Sequence, residues 1–395
     1  MPTTPHQPFS RLIGWSRSDR AAGVGLVVAT GAALVWANVD GAAYARTWAT
    51  VPSSLGFSHL HFTAREWVNE ALMTLFFVVI GLEIRRETTA GELGSWHRAA
   101  GPVIAAVAGM AVPAIVYVAV VHDGPGGHGW GIPMATDVAF SLGALALVAP
   151  SASLRLRVFL MSLGVADDIL SIAVLVVVYS AEVRAGLVIA GIGSLGVMVV
   201  VRRIRDPFGL LALAFGAAAW WAFARGGVEA AVIGVAVGIA GLASPAPPAD
   251  SHLGPRAWER RLSPLVNLVV LPVFALANTG VDIAHLDLSS STALSVFVAV
   301  FAARVIGKPA GVWLGATLLP SRYLSATGDR PSGRTRLGLG AAASVGFTVS
   351  LLIARVAFGE SALADAATAA LLAGTVVGLA LTALLLRSDT PSPTR

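Results

Sequence analysis

Long apolar runs, repeated along almost the whole chain, restrict this sequence more than any other feature. They fall near 21–39, 67–82, 99–121, 131–149, 157–180, 186–201, 209–224, 228–243, 264–281, 291–318, 337–357 and 362–386, twelve in all. A helix rising about 1.5 Å per residue needs roughly twenty apolar residues to cross a hydrocarbon layer about 30 Å thick. Most of these runs are close to that length. The chain has 395 residues, 56% hydrophobic and only 12% charged, with a mean hydropathy of +0.76. A soluble domain usually carries about twice that charged fraction to cover its exterior. The class that follows is an all-α polytopic membrane protein of about 12 transmembrane helices. Its 42 glycines suit helices that approach one another through small residues in lipid.

Cysteine is absent, which excludes disulfides, thiol catalysis and Cys-ligated metal, and leaves the redox compartment open. The first run follows Arg11, Arg17 and Arg20 and superficially resembles a signal peptide. No small-residue cleavage signal follows it and many runs come after, so it reads as a retained span. The net charge of +5 comes from arginines clustered between runs, a pattern of membrane topology rather than nucleic-acid binding. With both termini cytoplasmic, the inner connections collect Arg85, Arg86, Arg98, Arg155, Arg157, Arg202, Arg203, Arg205, Arg256, Arg260, Arg261, Arg322, Arg330, Arg334 and Arg336. The outer connections keep only Arg46, Arg65, Arg184 and Arg225. The positive-inside rule favours that orientation.

The expected organisation is an N-terminal tail over 1–20, a single transmembrane domain over 21–386 and a C-terminal tail over 387–395. An outer loop spans 40–66, and cytoplasmic loops span 244–263 and 320–336. Turn residues and some alternation in the outer loop suggest a small hairpin, and Ala257 to Leu262 a short interfacial helix. Two runs carry breaks. GIPMATDVAFSLG has Pro133 and Thr136 just before Asp137, and ASVGFTVS has Gly346 in mid-run. Interrupted helices persist in a bilayer only where protein or an aqueous cavity satisfies the freed backbone. Breaks in corresponding places of two halves point to a transporter's binding region.

Asp137, Asp167, Asp168 and Lys308 lie well inside runs; Arg304 is one turn before Lys308, and Glu83 and Arg355 can reach an interface. An ionised side chain at the bilayer centre costs roughly 2.5–3.5 kcal/mol even on the lenient insertion scale. Such a set is either a transport or proton-handling site or a purely structural pairing with arginine and lysine. Lys308 is the only lysine among the 27 Lys and Arg residues. An ammonium can release its proton when desolvated and a guanidinium practically cannot; alternatively, Lys308 snorkels or is a fixed partner for Asp167. Adjacent residues on a helix point about 100° apart, so Asp167 and Asp168 cannot face one ion alike. A natural division has one lining a cavity and the other pairing with Lys308. A cavity carboxylate holds a small hard cation or a proton, and two occupants competing for one site make an exchanger. Asp137 beside a break can compensate a positive helix N-terminus.

The stretches LFFVVIGLEIRRE, GIPMATDVAFSLGALAL, RLRVFLMSLGVADDILSIAV, LPVFALANTGV, GKPAGV and GFTVSLLIARVAFG, in this order, resemble the NhaA family of bacterial Na⁺/H⁺ antiporters over nearly the whole chain. The resemblance implies inverted-topology repeats whose interrupted helices cross near mid-membrane. It implies that Asp168 is the cation-binding aspartate, with Asp167 its neighbour in a Na⁺ site, Lys308 the partner of Asp167, and Asp137 with Thr136 the charge-compensating element. It further implies that Glu83, Arg85, Arg86 and Glu87 form a cytoplasmic funnel cluster and that Glu259 is linked to pH response. Glu229, in GGVEA, stands where a histidine implicated in pH response is usual, and Arg260 and Ser263 stand where histidines are common. The implied activity is electrogenic, pH-dependent exchange by alternating access, exporting Na⁺ or Li⁺ for a larger number of H⁺. The implied setting is a bacterial inner membrane, with the lipid bilayer and a second copy in a homodimer as partners, no nucleic acid, no cofactor and no enzymatic reaction. A cation-coupled symporter of an organic anion is the alternative on a related fold. An intramembrane aspartyl protease needs acids on separate helices, which the adjacent pair does not supply, and the histidines fall mostly in tails and loops, away from any serine dyad.

Overall fold

The computed structural model describes residues 17–52, 62–122, 124–148, 154–180, 183–204, 210–241, 255–286, 288–320 and 331–386. Residues 1–16 and 387–395 and most of the stretches 244–263 and 320–336 lie outside these residues. Among the described residues there are helices and no strands. In chain order the helices are α1 (Arg17–Val39), α2 (Gly41–Ala49), α3 (Ala64–Thr89), α4 (Trp96–Val121), α5 (Val138–Val148), α6 (Leu154–Val178) and α7 (Ala185–Ile204). They continue with α8 (Leu210–Gly226), α9 (Ala230–Ala240), α10 (Trp258–Asn278), α11 (Ser291–Thr317), α12 (Gly333–Ala343), α13 (Thr348–Phe358) and α14 (Ala362–Leu386). Each expected apolar run meets a helix, and the run over 337–357 meets the bent pair α12 and α13. Large apolar side chains such as Val28, Val35, Ile189, Leu213 and Val376 are exposed while Asp167, Arg304 and Lys308 are buried. That inside-out distribution belongs to a chain whose outer solvent is lipid.

Two local expectations change. Residues 41–49 form a helix rather than one arm of a hairpin, because the Asp40 carboxylate accepts the Ala43 N–H and starts α2; residues 53–61 lie outside the described set. The short interfacial helix is not separate: helical backbone begins at Pro255 and runs on into α10. A capping box of Thr63 and Glu66 starts α3. In α10 and α11, wide π turns at Val266–Val270 and Ala303–Gly307 shortly precede Pro272 and Pro309. A proline ring crowds the carbonyl four residues earlier and offers no N–H, and a widened turn accommodates both defects.

Among the described residues six helices are long and apolar enough to cross a membrane by themselves: α3, α4, α6, α10, α11 and α14. They form two sets with one order: long, long, broken, long. The first broken segment is a short 3₁₀ helix, Gly127–Met134, followed by extended backbone and then α5. The second is α12, a 55° bend, and α13. The packing repeats as well. α4 lies on α6 as α11 lies on α14, and the leading half of each break lies on its own preceding helix, Gly127–Met134 on α4 and α12 on α11. Each leading half also touches the trailing half of the other break, Gly127–Met134 against α13 and α12 against α5, while α4 and α11 pack together between them. This pattern is that of two inverted-topology repeats around a common crossing.

Close packing elsewhere relies on small residues. Where α3 meets α9, a Cβ on Gly238 would stand 2.8 Å from the Gly81 Cα, and one on Gly234 2.8 Å from the Val78 nitrogen. Replacing Gly238 by leucine therefore has to part the two helices, at about 1–3 kcal/mol. Thermal unfolding in detergent should show Gly238→Leu clearly less stable than the parent. Gly31→Ala, where nothing lies within 4 Å of the added Cβ, should be indistinguishable from it.

Candidate functional site

The two breaks leave four helix ends inside the protein, each with unsatisfied backbone groups. Two are N-termini. The Asp137 carboxylate accepts the Phe140 N–H at 3.2 Å, in the first turn of α5. Its other oxygen accepts the hydroxyl of Thr348, the first residue of α13, at 3.1 Å. One carboxylate thus serves both positive ends, as expected for an acid beside a break. The other two are C-termini. Thr136 Oγ1 donates to the Ala343 carbonyl at the end of α12, at 3.0 Å. The Gly127–Met134 helix ends on the Lys308 ammonium, which donates to the Met134 carbonyl. Arg304 donates to the Pro133 and Ala135 carbonyls there, at 3.1 and 2.7 Å. The Asp137 N–H, bonded to the Val345 carbonyl at 3.3 Å, joins the breaks directly.

The adjacent aspartates divide as their helix spacing requires. Lys308 Nζ lies 2.8 Å from Asp167 Oδ1, and the Thr136 N–H donates to Asp167 Oδ2 at 2.6 Å. Asp167 and Lys308 are both 0% exposed. Asp168 is 6% exposed, yet among the described residues its carboxylate has no hydrogen bond and no ion pair. Its electrostatic neighbours are Asp167, Glu83, Asp137 and Lys308. Among the described residues no group of three or more His, Cys, Asp or Glu side chains could hold a metal ion. A transported Na⁺ at Asp168 and Asp167 would have to complete its shell with hydroxyl, main-chain carbonyl or water oxygen.

At the end of α3 the structure gathers the expected charged cluster. Arg86 pairs with Glu259, Arg85 donates to the Ile239 carbonyl at 2.9 Å, and Glu87 accepts the Ser162 hydroxyl at 2.5 Å and the Glu92 N–H at 3.0 Å. Glu83, one turn before Glu87, has Arg86, Glu259, Asp137 and Glu87 as its charged neighbours. It links the cluster to the crossing. Ser263 turns back on its own helix, donating to the Glu259 carbonyl at 2.7 Å. Glu229 does not join this group: its charged neighbour is Glu70, near the other end of α3, roughly 20 Å away for the thirteen residues from 70 to 83. Glu70 also accepts the Ala230 N–H at 2.9 Å and so caps the start of α9. Glu229, expected from the resemblance only to stand where a pH-linked histidine is usual, thus lies apart from the cluster of Glu83, Arg86, Glu87 and Glu259.

The sequence pattern missed Ser162, Thr348, Ser350 and the role of the Met134 carbonyl. Hydroxyls in apolar runs are common and main-chain carbonyls carry no residue signal, so only Arg304, one turn from Lys308, was visible as an outlier.

The pattern of the family described as Na⁺/H⁺ antiporter 1 matches residues 14–386 of this chain. Among similar proteins, one named Na(+)/H(+) antiporter NhaA 2 from Frankia alni is 37% identical over 94% of this chain and 77% of its own length. Proteins named Na(+)/H(+) antiporter NhaA from Mycolicibacterium smegmatis and Bordetella parapertussis are 38% and 35% identical. They cover 94% and 99% of this chain, and 86% and 100% of their own lengths.

Removing one partner of a buried ion pair strands the other charge, at about 3–5 kcal/mol, whereas removing both is often nearly neutral. Lys308→Met should therefore unfold at a markedly lower temperature than the parent in detergent. Asp167→Asn/Lys308→Met should recover most of the loss. A double variant no more stable than Lys308→Met would overturn the pairing.

Proposed function

This chain belongs to the Na⁺/H⁺ antiporter 1 family, and we propose that it exchanges the two ions at Asp168, beside the crossing of its broken helices. It is a sodium/proton antiporter, a transporter rather than an enzyme, and a multi-pass membrane protein. One observation carries the assignment of the site: Asp167 is held by Lys308 and the Thr136 N–H, while Asp168, the next residue, is nearly buried and engages no other group among the described residues. A carboxylate in that position takes up whichever of a proton or a sodium ion is available. The two compete because the site's single negative charge is neutralised by either one.

In this proposal Asp168 is the cation ligand, Asp167 contributes its field and Lys308 balances it, and Li⁺ is accepted as a smaller hard cation of the same kind. Asp137 and Thr136 hold the helix ends so that the crossing can rock between two openings without exposing backbone to lipid. Glu83 relays between Asp168 and the cluster of Arg85, Arg86, Glu87 and Glu259, which forms the cytoplasmic mouth. Glu229 responds to pH from near the other end of α3, beside Glu70. Two or more carboxyl and ammonium groups near one sodium site favour more protons in than sodium ions out, hence electrogenic export driven by membrane potential. Counting arginines between runs supports cytoplasmic termini in a bacterial inner membrane, as one transmembrane domain. Homodimer formation rests on family resemblance.

The test uses proteoliposomes with an acidic interior and an internal pH probe. Adding NaCl or LiCl outside should alkalinise the interior, and KCl should not. Asp168→Asn should reduce the response to that of empty liposomes. A full response in folded Asp168→Asn would refute the site. Sodium-dependent uptake of an organic anion without alkalinisation would favour symport instead.

A further inference from the structure

The inward face of α6 carries more than the aspartate pair. Asp167, Asp168, Ser171, Ile172 and Leu175 are buried while Ile169 and Val177 are exposed, so the buried residues form one stripe turned away from lipid. At about 100° per residue, Ser171 stands about 40° from Asp167 and about 60° from Asp168 around the axis. It falls on the next turn, between the two. Side chains on a helix lean towards its N-terminus, which carries the Ser171 hydroxyl back towards the aspartates.

Among the described residues that hydroxyl is the one Ser or Thr oxygen buried without a hydrogen-bond partner; Ser171 is 1% exposed. Neighbouring hydroxyls are engaged. Ser162 donates to Glu87, Thr348 to Asp137 and Thr136 to the Ala343 carbonyl, and Ser350 accepts from Arg304. A hydroxyl on an apolar helix also has a standby partner, the carbonyl four residues earlier. Thr30, Thr74, Thr368 and Thr382 all use it. For Ser171 that carbonyl belongs to Asp167, and the hydroxyl does not take it. A buried polar group without a partner is unfavourable, and this one lies beside a carboxylate, Asp168, that also engages no other group among the described residues.

We propose that Ser171 Oγ is a ligand of the transported sodium ion, forming with the Asp168 carboxylate an i, i+3 pair on α6. This rests on Asp168 being the exchange site. Residues three apart on a helix hold their Cβ atoms about 5–6 Å apart, a gap that one cation held between a carboxylate and a hydroxyl oxygen fills. The hydroxyl supplies a hard, neutral oxygen of the kind Na⁺ and Li⁺ favour. It adds a ligand without adding a charge, so one sodium ion still neutralises the site. A sodium ion needs several oxygens around it and a proton needs only one, so the hydroxyl acts mainly on sodium.

The measurement is exchange in proteoliposomes against sodium concentration at a fixed alkaline pH, for the parent, Ser171→Ala, Ser171→Cys and Asp168→Asn. Thermal unfolding in detergent, with and without NaCl, accompanies it. Alanine removes the hydroxyl; cysteine keeps a similar shape but offers sulfur, a soft ligand ill matched to Na⁺. Both should raise the apparent KM for sodium about tenfold, the scale of one lost polar contact to a charged group, with the maximal rate little changed. Without sodium, Ser171→Ala should unfold at no lower temperature than the parent, since the hydroxyl it loses has no partner there. Added NaCl should stabilise it less than the parent. A parent-like KM in either Ser171 variant would overturn the assignment. Exchange surviving in Asp168→Asn would instead refute the underlying site.

Discussion

Helix ends cannot be left bare inside a membrane, and the structure of this protein is organised around meeting that constraint at one place. Two helices are interrupted, four ends converge, and each is given a partner: Asp137 for both N-termini, Thr136 for the end of α12, Lys308 and Arg304 for the end of Gly127–Met134. An unsatisfied backbone group in an apolar interior costs several kcal/mol. The charged side chains that look extravagant in a hydrophobic sequence are therefore required by the breaks.

Once Lys308 and the Thr136 N–H have taken Asp167, the geometry of a helix does the rest. The next residue, about 100° round the axis, cannot reach the same partners. Asp168 is left nearly buried and disengaged, next to like charges on Asp167, Glu83 and Asp137. A buried carboxylate surrounded by acids is a poor place for a permanent negative charge and a good one for an exchangeable cation or proton. Structural pairing accounts for Asp167, and the proposed ion handling falls to its disengaged neighbour.

Much of this was legible from the residues alone because lipid imposes so few solutions. The runs, the breaks at Asp137 and Gly346, the single lysine and the split of the aspartate pair all follow from length, hydropathy and helical periodicity. What failed did so for local reasons. The alternation suggesting a hairpin after Asp40 gave way to a helix because the Asp40 side chain caps it. The position of Glu229 beside Glu70, towards the far end of α3 from Glu83, follows from packing and not from its place in the sequence. Main-chain acceptors such as the Met134 and Ala135 carbonyls leave no mark on a sequence.

By itself, then, the sequence determined that this protein is helical, that it crosses a membrane many times and that a few charges lie inside it, since apolar run length and desolvation act locally along the chain. Only the tertiary structure decided which charge meets which helix end, that one arginine bridges the two repeats, and that Asp168 rather than Asp167 stays disengaged. Those outcomes depend on segments roughly 140 to 210 residues apart arriving at one point, and on backbone atoms whose positions no residue letter encodes.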